Sequence, residues 1–359
     1  MNLDPRHWGD RWGVTRVTPP DHVTVDCHSH MKVAEAVALA KPHLRDEDDP
    51  RVIYSSEESK SLNAVFHAES EGRFTDPAVR IADMDGMGID VQMVAIAPPQ
   101  YFYPLPAEVA GEVARVQNDR LIAVANSYPD RFVAVGTLPM NHPELAVEEV
   151  DRIHRAGVGV VEIGADVAGQ DLDHPRFDPV WEALAARQMV VIMHPHGFTE
   201  ARRLTDYYLV NVIGIPVSST LAVVRMILGG VFARHPGLRM LVMHGGGYLS
   251  LALARADHAF AHRPELRHHI DRPPSTFAEQ LYFETCVFDP SIVDDLVARY
   301  GVDHVLMGTD YPFDMGQGDP LGFLAQTSLS PEQLALVTGG NARNLFGIDI
   351  DRPTRGEKR

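Results

Sequence analysis

Residues 25–30 read Val-Asp-Cys-His-Ser-His and stand at the carboxyl end of the first apolar run of the chain. On a β-strand, side chains two residues apart project from the same face, so His28 and His30 are expected to lie side by side. This spacing suits two ligands of one metal ion. Cys27 and Ser29 point to the opposite face under the same rule, and we therefore expect Cys27 to pack rather than to bind metal.

Apolar runs of this kind recur along the chain, each with four to seven residues rich in Val, Ile, Leu and Met. Such runs are typical of strands that are buried on both faces. The eight predicted strands are Val23–Asp26, Val91–Ala97, Phe132–Thr137, Val158–Ile163, Met189–Met193, Arg239–Met243, Leu281–Val287 and His304–Met307. Amphipathic stretches with helical spacing lie between them, and the clearest begins at Ser218, a residue suited to cap a helix. These predicted helices are Ser218–Arg234, Glu144–Ala156, Asp178–Arg187, Pro290–Tyr300 and Pro331–Phe346.

Strands that alternate with helices pair in parallel through right-handed crossovers, which predicts an α/β fold. A closed (β/α)₈ TIM barrel takes roughly 250 residues. Two inserts, at about residues 31–76 and 197–217, account for the surplus, and we expect inserted loops over the carboxyl-terminal mouth of the barrel. The alternative, an open doubly wound sheet, usually carries a nucleotide-binding fingerprint, and neither GxGxxG nor GxxxxGK[ST] occurs here. We predict one domain over residues 1–359, with a barrel core at about 23–348.

The charge balance excludes two classes of partner. Lys and Arg number 32 against 49 Asp and Glu, for a formal net charge of −17. A field of that sign repels phosphate backbones and anionic lipid, so we expect neither nucleic acid nor a membrane as a partner.

The two cysteines, Cys27 and Cys286, offer no disulfide framework, which is typical of a reducing compartment. Residues 1–8 contain no apolar signal-peptide core, and we expect a cytoplasmic protein.

Three later apolar runs are also followed by residues that bind metal or titrate. His194 follows the fifth, His244 follows the sixth, and Asp310 comes three residues after the eighth. The carboxyl ends of barrel strands meet at one mouth, so His194 and Asp310 join His28 and His30 as predicted ligands. One His-x-His is expected by accident among 18 histidines, but four such residues at strand ends are not. Three imidazoles and a carboxylate leave an open position for substrate and suit Zn²⁺ best, with Mn²⁺, Fe²⁺ and Co²⁺ as alternatives.

Other residues near these strand ends are candidates for further roles. His244 is a candidate proton carrier beside the metal, and the alternative is a core histidine. Gly245–Gly247 allow close backbone approach to a ligand or simply begin a helix. His-Gly-Gly-Gly also occurs in serine esterases, but the chain has no G-x-S-x-G nucleophile motif. Glu162 and Glu284 interrupt apolar strands, so they either face the site or pair inside the barrel, and His196 either touches substrate or lies in a solvated loop.

Taken in order, these motifs resemble the amidohydrolase superfamily, in its branch of aminocarboxymuconate-semialdehyde decarboxylase-like enzymes. The similar segments run from about Thr24 to Ile348 and cover nearly the whole chain. They are Asp26–His30, Asp76–Asp85, Tyr128–Pro139, His194–Pro195, His244–Gly247 and Gly308–Phe313.

The resemblance implies a distorted (β/α)₈ barrel of the metal-dependent hydrolase type with one divalent metal, usually zinc, at the four predicted ligands. It also implies that Arg255 reaches the site of a neighbouring subunit and holds a substrate carboxylate, and hence a homodimer. The alternative is an ordinary surface arginine. The family's other substrate-binding arginine precedes the Asp-Pro segment, where Arg73 is the nearest here at a different spacing. Residue 196 is His where the namesake has Trp, so the substrate of the namesake is not carried over.

These observations predict a metal-dependent, non-oxidative decarboxylase of an unsaturated or aromatic carboxylic acid. His244 and Asp310 are the predicted catalytic residues, and Arg255, His196 and Arg73 the predicted substrate contacts. A lactonase or amidase with the same metal site is one alternative, because metal-activated water can attack a carbonyl carbon instead. A hydratase of a ring-cleavage product is another, and a barrel that has lost its catalytic site is the non-enzyme alternative.

Overall fold

The computed structural model describes residues 12–13, 15–45 and 49–351. The first eight residues, on which the cytoplasmic expectation partly depends, lie outside the described residues. The division of residues 1–359 into one domain stays a prediction.

A strand of the barrel overlaps each of the eight predicted apolar runs. The strands are β1 (Val25–Met31), β2 (Val91–Ile96), β3 (Phe132–Ala134, continued by Gly136–Thr137), β4 (Val160–Ile163), β5 (Val190–Met193), β6 (Arg239–Val242), β7 (Leu281–Glu284) and β8 (Val305–Leu306). Most are shorter than predicted, whereas β1 runs five residues beyond its predicted end and includes both histidines of the His-x-His motif.

The strands pair in parallel in two arcs, one formed by β1 to the first part of β3 and the other by the second part of β3 to β8. Backbone hydrogen bonds join the first strand to the last. The amide of Cys27 donates to the carbonyl of Met307 over 3.0 Å, and that of Asp310 donates to His28 over 2.8 Å. These bonds bring β1 and β8 together, and the distorted (β/α)₈ architecture is confirmed.

Apolar side chains fill the interior of the barrel below its carboxyl-terminal mouth. They include Val25, Cys27, Val91, Met93, Ala95, Val160, Val190, Ile192, Leu241, Met243 and Leu306. The register of β1 against β2 shifts between Asp26 and Ser29, where β1 carries an extra residue. Because of this bulge Cys27 belongs to the interior cluster, so strict alternation was wrong about its direction. Cys27 nevertheless packs among apolar side chains, as expected.

The main helices follow the strands that they cover. They are α1 (Ala34–Ala40), α2 (Glu57–Thr75), α3 (Pro77–Met87), α4 (Ala107–Ser127), α5 (Pro143–Arg155), α6 (Asp178–Ala186), α7 (Ile215–Leu228), α8 (Leu249–His262), α9 (Pro290–Tyr300) and α10 (Asn341–Phe346). Short helices span Pro50–Ile53, Val231–Arg234, Pro320–Leu324 and Pro331–Ala335.

Two of the predicted helices differ from the structure. Ser218 lies inside α7 rather than capping it, because the helical turn Val210–Gly214 leads directly into this helix. The segment is then divided by Gly230, whose φ of 77° is easily adopted by glycine and ends a helix. The predicted helix Pro331–Phe346 is divided by a wide turn at Leu336–Gly340.

The stretch Val210–Leu228 is long and apolar enough, by length and composition, to cross a membrane. Its mean hydropathy is 1.6, and 44% of it is buried inside the protein. The buried side chains Ala222, Val223, Met226 and Ile227 belong to the main apolar core. This packing is that of a core helix.

The two inserts meet over the carboxyl ends of the strands. The first insert contains α1, the short helix Pro50–Ile53 and α2, and the second covers residues 197–217. The hydroxyl of Tyr54 donates to the carbonyl of Thr199 over 3.2 Å, which connects the two inserts directly. Both contribute residues to the cavity at the barrel mouth, as expected.

Candidate active site

The structure brings the four predicted ligands together at the barrel mouth. His28 and His30 project from β1, His194 directly follows β5, and Asp310 lies four residues after the end of β8. Oδ1 of Asp310 lies 3.3 Å from Nε2 of His28, 3.2 Å from Nε2 of His30 and 4.0 Å from Nε2 of His194. All four residues are buried, and one ligand atom from each lies within 4.8 Å of all the others.

The unpaired polar atoms of this cluster fit a metal ion. Nε2 of His28, His30 and His194 and Oδ1 of Asp310 are buried without a hydrogen-bond partner among the described residues. Such atoms are costly to bury unless something else satisfies them. Nδ1 of His30 and of His194 lies 3.4 and 2.9 Å from a backbone carbonyl oxygen. A hydrogen on Nδ1 leaves the lone pair of Nε2 for a metal, so the donor set fits one divalent ion.

Glu284 and Glu162 lie near the Nδ1 atoms of His28 and His30. Oε1 of Glu284 is 3.4 Å from Nδ1 of His28, and Oε1 of Glu162 is 3.8 Å from Nδ1 of His30. The hydroxyl of Tyr101 donates to Glu162 over 2.8 Å. Both carboxylates therefore face a predicted ligand, and such partners orient imidazoles and make them better donors.

Burial and neighbouring charges have opposite effects on the pKa of His28 and of Asp310, but they act in the same direction on the pKa of His194. Burial lowers the pKa of His28, but the carboxylates of Asp310 and Glu284 outweigh it and raise that pKa to about 9. Burial raises the pKa of Asp310, yet His28 and His244 hold it well below the ordinary range of a carboxyl. Burial and the neighbouring His244 and His30 lower the pKa of His194 well below its usual value. The carboxylate of Asp310 therefore stays ionised beside neutral His194, whereas His28 is protonated and must lose its proton before it can bind a metal.

His244 lies at the rim of the cluster and faces the cavity. Its Nε2 is 3.5 Å from Oδ2 of Asp310, and its ring centre is 4.9 Å from that of His194. His244 and Asp310 both have positive φ, 56° and 60°, a conformation that costs non-glycine residues energy and is concentrated at functional sites. The amide of His244 donates to Glu284, which fixes the backbone of this turn.

Two glycines make the close packing around the site possible. Gly247 has a φ of 63°, and a Cβ there would lie 2.3 Å from the carbonyl oxygen of Pro216. A Cβ on Gly308 would lie 2.5 Å from Oε2 of Glu284 and 2.9 Å from Cβ of His28. The backbone of Gly247 therefore closely approaches α7. Gly245 and Gly247 also line the cavity.

A cavity of about 640 Å³ opens onto the cluster and is lined by both inserts. His196 lines it, with Nε2 3.5 Å from Oδ1 of Asp49. The structure does not bring Arg73 to the cavity, because its Nε donates to Oδ2 of Asp83 over 2.9 Å. Arg255 is exposed on α8, outside the cavity of its own chain.

Sequence reasoning missed the cavity residues that α2 supplies. Lys60, Asn63 and His67 line the cavity, and among the described lining residues Lys60 is the one lysine or arginine. These residues lie in an insert without a recognisable motif, so nothing in the sequence singled them out. Tyr208 of the second insert was missed for the same reason. Asp314, just after the segment Gly308–Phe313, was also missed, and the Tyr208 hydroxyl lies 3.3 Å from one of its carboxylate oxygens.

The sequence pattern of one known family extends over most of the chain. The model of the family described as Amidohydrolase matches residues 25–348, which includes every barrel strand and all four predicted ligands. The chain belongs to the amidohydrolase family. The superfamily expected from the sequence motifs is thereby confirmed.

Relatives of this amidohydrolase are named decarboxylases. The 2-amino-3-carboxymuconate-6-semialdehyde decarboxylase of Dictyostelium discoideum is 30% identical over 295 residues, 81% of this chain and 82% of the relative. The crystal structure of 5-carboxyvanillate decarboxylase from Sphingomonas paucimobilis superposes with a TM-score of 0.83 at 23% identity, covering 92% of this chain and all of the other. Dihydroxybenzoic acid decarboxylase from Polaromonas sp. JS666, solved with bound manganese and the inhibitor 2-nitroresorcinol, gives a TM-score of 0.76 at 22% identity, covering 91% and 97%. The first relative agrees with the predicted branch and reaction class, and the two structures support the fold.

We expect His28→Ala and Asp310→Ala to abolish both metal binding and turnover, because each removes a donor that the remaining ligands do not replace. Elemental analysis of dialysed protein measures the metal content. His154→Ala, which removes an exposed histidine of α5, is the matched control and should leave the metal content unchanged. Stoichiometric metal or full turnover in either ligand variant would contradict the assigned site.

Proposed function

We propose that this amidohydrolase is a metal-dependent, non-oxidative decarboxylase of an unsaturated or aromatic carboxylic acid. The observation that carries the proposal is a buried cluster of three unpaired imidazole nitrogens and one carboxylate, with His244 beside it, at the end of a cavity of about 640 Å³. The decarboxylases among the relatives support the same reaction class.

The residues His28, His30, His194 and Asp310 would hold the ion. A divalent cation bound there supplies Lewis-acid polarisation of substrate oxygens. Three imidazoles and one carboxylate favour zinc, although manganese is present in the Polaromonas sp. JS666 structure. We therefore propose zinc as the native metal and manganese as the alternative.

His244 is the proposed proton donor. Its Nε2 lies 3.5 Å from Oδ2 of Asp310, which can accept a hydrogen bond from a hydrogen at that nitrogen. The proton moves from Nε2 to the substrate carbon that bears the carboxylate, and this carbon becomes tetrahedral. The bond to the carboxylate carbon then breaks, its electron pair restores the conjugated system, and CO₂ leaves. A hydrogen thus replaces the carboxylate, and His244 recovers its proton from solvent.

The walls of the cavity suit a substrate with an apolar ring or conjugated chain. Pro98, Ile215, Val287 and Phe313 line it, so a planar apolar body is desolvated while its carboxylate reaches the metal end. His196 lines the same cavity and is the proposed substrate contact retained from the sequence. Arg73 is not retained, because it pairs with Asp83 outside the cavity.

Arg255 is proposed to act across a homodimer interface. It forms no hydrogen bond or ion pair with the described residues and lies on an exposed face of α8. Leu251 on the same helix is 76% exposed, and Tyr248 and Leu221 nearby are 41% and 44% exposed. An exposed apolar face beside an unpaired cation suits a second copy of the chain, in which Arg255 would hold the substrate carboxylate bidentately. A cytoplasmic location stays a prediction.

We expect CO₂ release from at least one member of a panel of hydroxybenzoates and carboxymuconate-type ring-cleavage products. Release should disappear in chelator-stripped enzyme and return on addition of zinc or manganese, because the ligand cluster is incomplete without a cation. His244→Asn should keep its metal and lose about 10²-fold or more in turnover, since it removes the proton donor. No release from any member, together with metal-dependent opening of lactones or amides, would make the protein a hydrolase.

Mixing Arg255→Ala chains with His244→Ala chains tests the shared site. Each variant alone should be nearly inactive, whereas a mixed dimer contains one site with an intact His244 and an intact Arg255. Random exchange of subunits restores about a quarter of the wild-type sites. Activity that does not recover in mixed dimers verified by mass spectrometry would contradict a role of Arg255 across the interface.

A further inference from the structure

A buried arginine lies directly behind the ligand-bearing end of β1. Arg80 of α3 is fully buried between this helix and the barrel wall. One terminal nitrogen donates to the carbonyl of His30 over 2.6 Å and to that of Arg73 over 2.9 Å. The other donates to Oγ of Ser29 over 2.9 Å and to Oε1 of Gln92 over 2.6 Å. The guanidinium thus holds both the residue before His30 and the backbone of His30 itself.

The same network continues to the segment that carries Asp310. The side-chain amide of Gln92 donates to Oδ2 of Asp26 over 2.9 Å. Asp26 in turn accepts hydrogen bonds from the amide of His28 over 3.1 Å and from the amide and hydroxyl of Thr309 over 3.0 and 2.6 Å. One continuous chain of hydrogen bonds therefore links the backbone of both β1 histidines to the residue that precedes Asp310.

These contacts coincide with the irregular part of β1. The register shifts between Asp26 and Ser29, so the regular ladder to β2 does not fix the backbone there. Asp26 and Ser29 bound this bulge, and each is bonded within the Arg80 network. The charges also balance across Gln92, because the Arg80 cation lies on one side and the buried Asp26 carboxylate on the other.

We propose that Arg80 is a positioning residue for the metal site, which it presets by clamping the β1 bulge and, through Gln92 and Asp26, the loop that carries Asp310. This inference rests on the proposed metal site. Arg80 itself touches neither the cavity nor a ligand atom. Partners of this kind commonly change metal affinity by 10–100-fold when they are removed.

Arg131 provides a matched control. It is also buried, and it ties the same helix α3 to the barrel at the opposite end of the strands, just before β3. Its Nε donates to the carbonyl of Asp90 over 2.8 Å and a terminal nitrogen to Oδ1 of Asp85 over 2.8 Å. It resembles Arg80 in burial and bonding but bonds to no segment that carries a ligand.

The test uses Arg80→Lys, which keeps the charge beside Asp26 but loses the forked geometry, and Gln92→Met, which separates the two halves of the network. The Kd for Co²⁺ is measured by competition with a chelator, and the visible absorption spectrum of the cobalt-loaded protein reports ligand geometry. We expect each variant to raise the Kd by about 10–100-fold and to change the spectrum. Arg131→Lys should lower the Tm of the stripped protein but leave the Kd within about twofold and the spectrum unchanged, since its bonds are remote from the ligands.

Two results would overturn the positioning role. One is a wild-type Kd and a wild-type spectrum in folded Arg80→Lys protein. If Arg80→Lys does not fold, the same result in folded Gln92→Met protein would overturn the role. The other is an equal change in Arg131→Lys, which would make the effect one of general stability. Wild-type protein that takes up no stoichiometric Co²⁺ would contradict the proposed metal site itself, and the inference with it.

Discussion

Three buried imidazole nitrogens and one buried carboxylate oxygen meet at the mouth of the barrel without hydrogen-bond partners among the described residues. Polar atoms so arranged are stable only when something compensates their lost hydration, and a divalent cation compensates all four at once. Other features of the structure assemble and support this cluster. Parallel strands bring their carboxyl ends to one place, and Glu162 and Glu284 face two of the histidines.

The backbone that carries the site is irregular, so the hydrogen bonds of regular strands and helices do not fix it. His244 and Asp310 adopt left-handed backbone conformations, and β1 bulges just before its second histidine. Buried carboxylates fix the backbone there, because the amide of His244 donates to Glu284 and the amide of His28 donates to Asp26. The ligand-bearing end of the barrel therefore depends on buried polar networks, while apolar side chains fill the interior below it.

The ligand set could be predicted from the sequence because it follows from strand ends and the two-residue repeat, which are local patterns. The side-chain direction of Cys27 could not be predicted, since the alternation of apolar residues does not reveal a β-bulge. The position of Arg73 could not be predicted either, because its ion pair with Asp83 depends on how α2 and α3 pack. Lys60 could not be recognised as a cavity residue, since the sequence does not show that its helix lies over the barrel mouth.

X-ray absorption spectroscopy of the purified wild-type protein at the edge of its bound metal tests the central claim most directly. We expect one divalent ion per chain, bound only by nitrogen and oxygen at about 2.0–2.2 Å if it is zinc, with the outer scattering of several imidazoles. Sulfur at about 2.3 Å would instead bring a cysteine such as Cys286 into the site. That result, or a protein without metal that retains full stability and turnover, would contradict a centre built from His28, His30, His194 and Asp310.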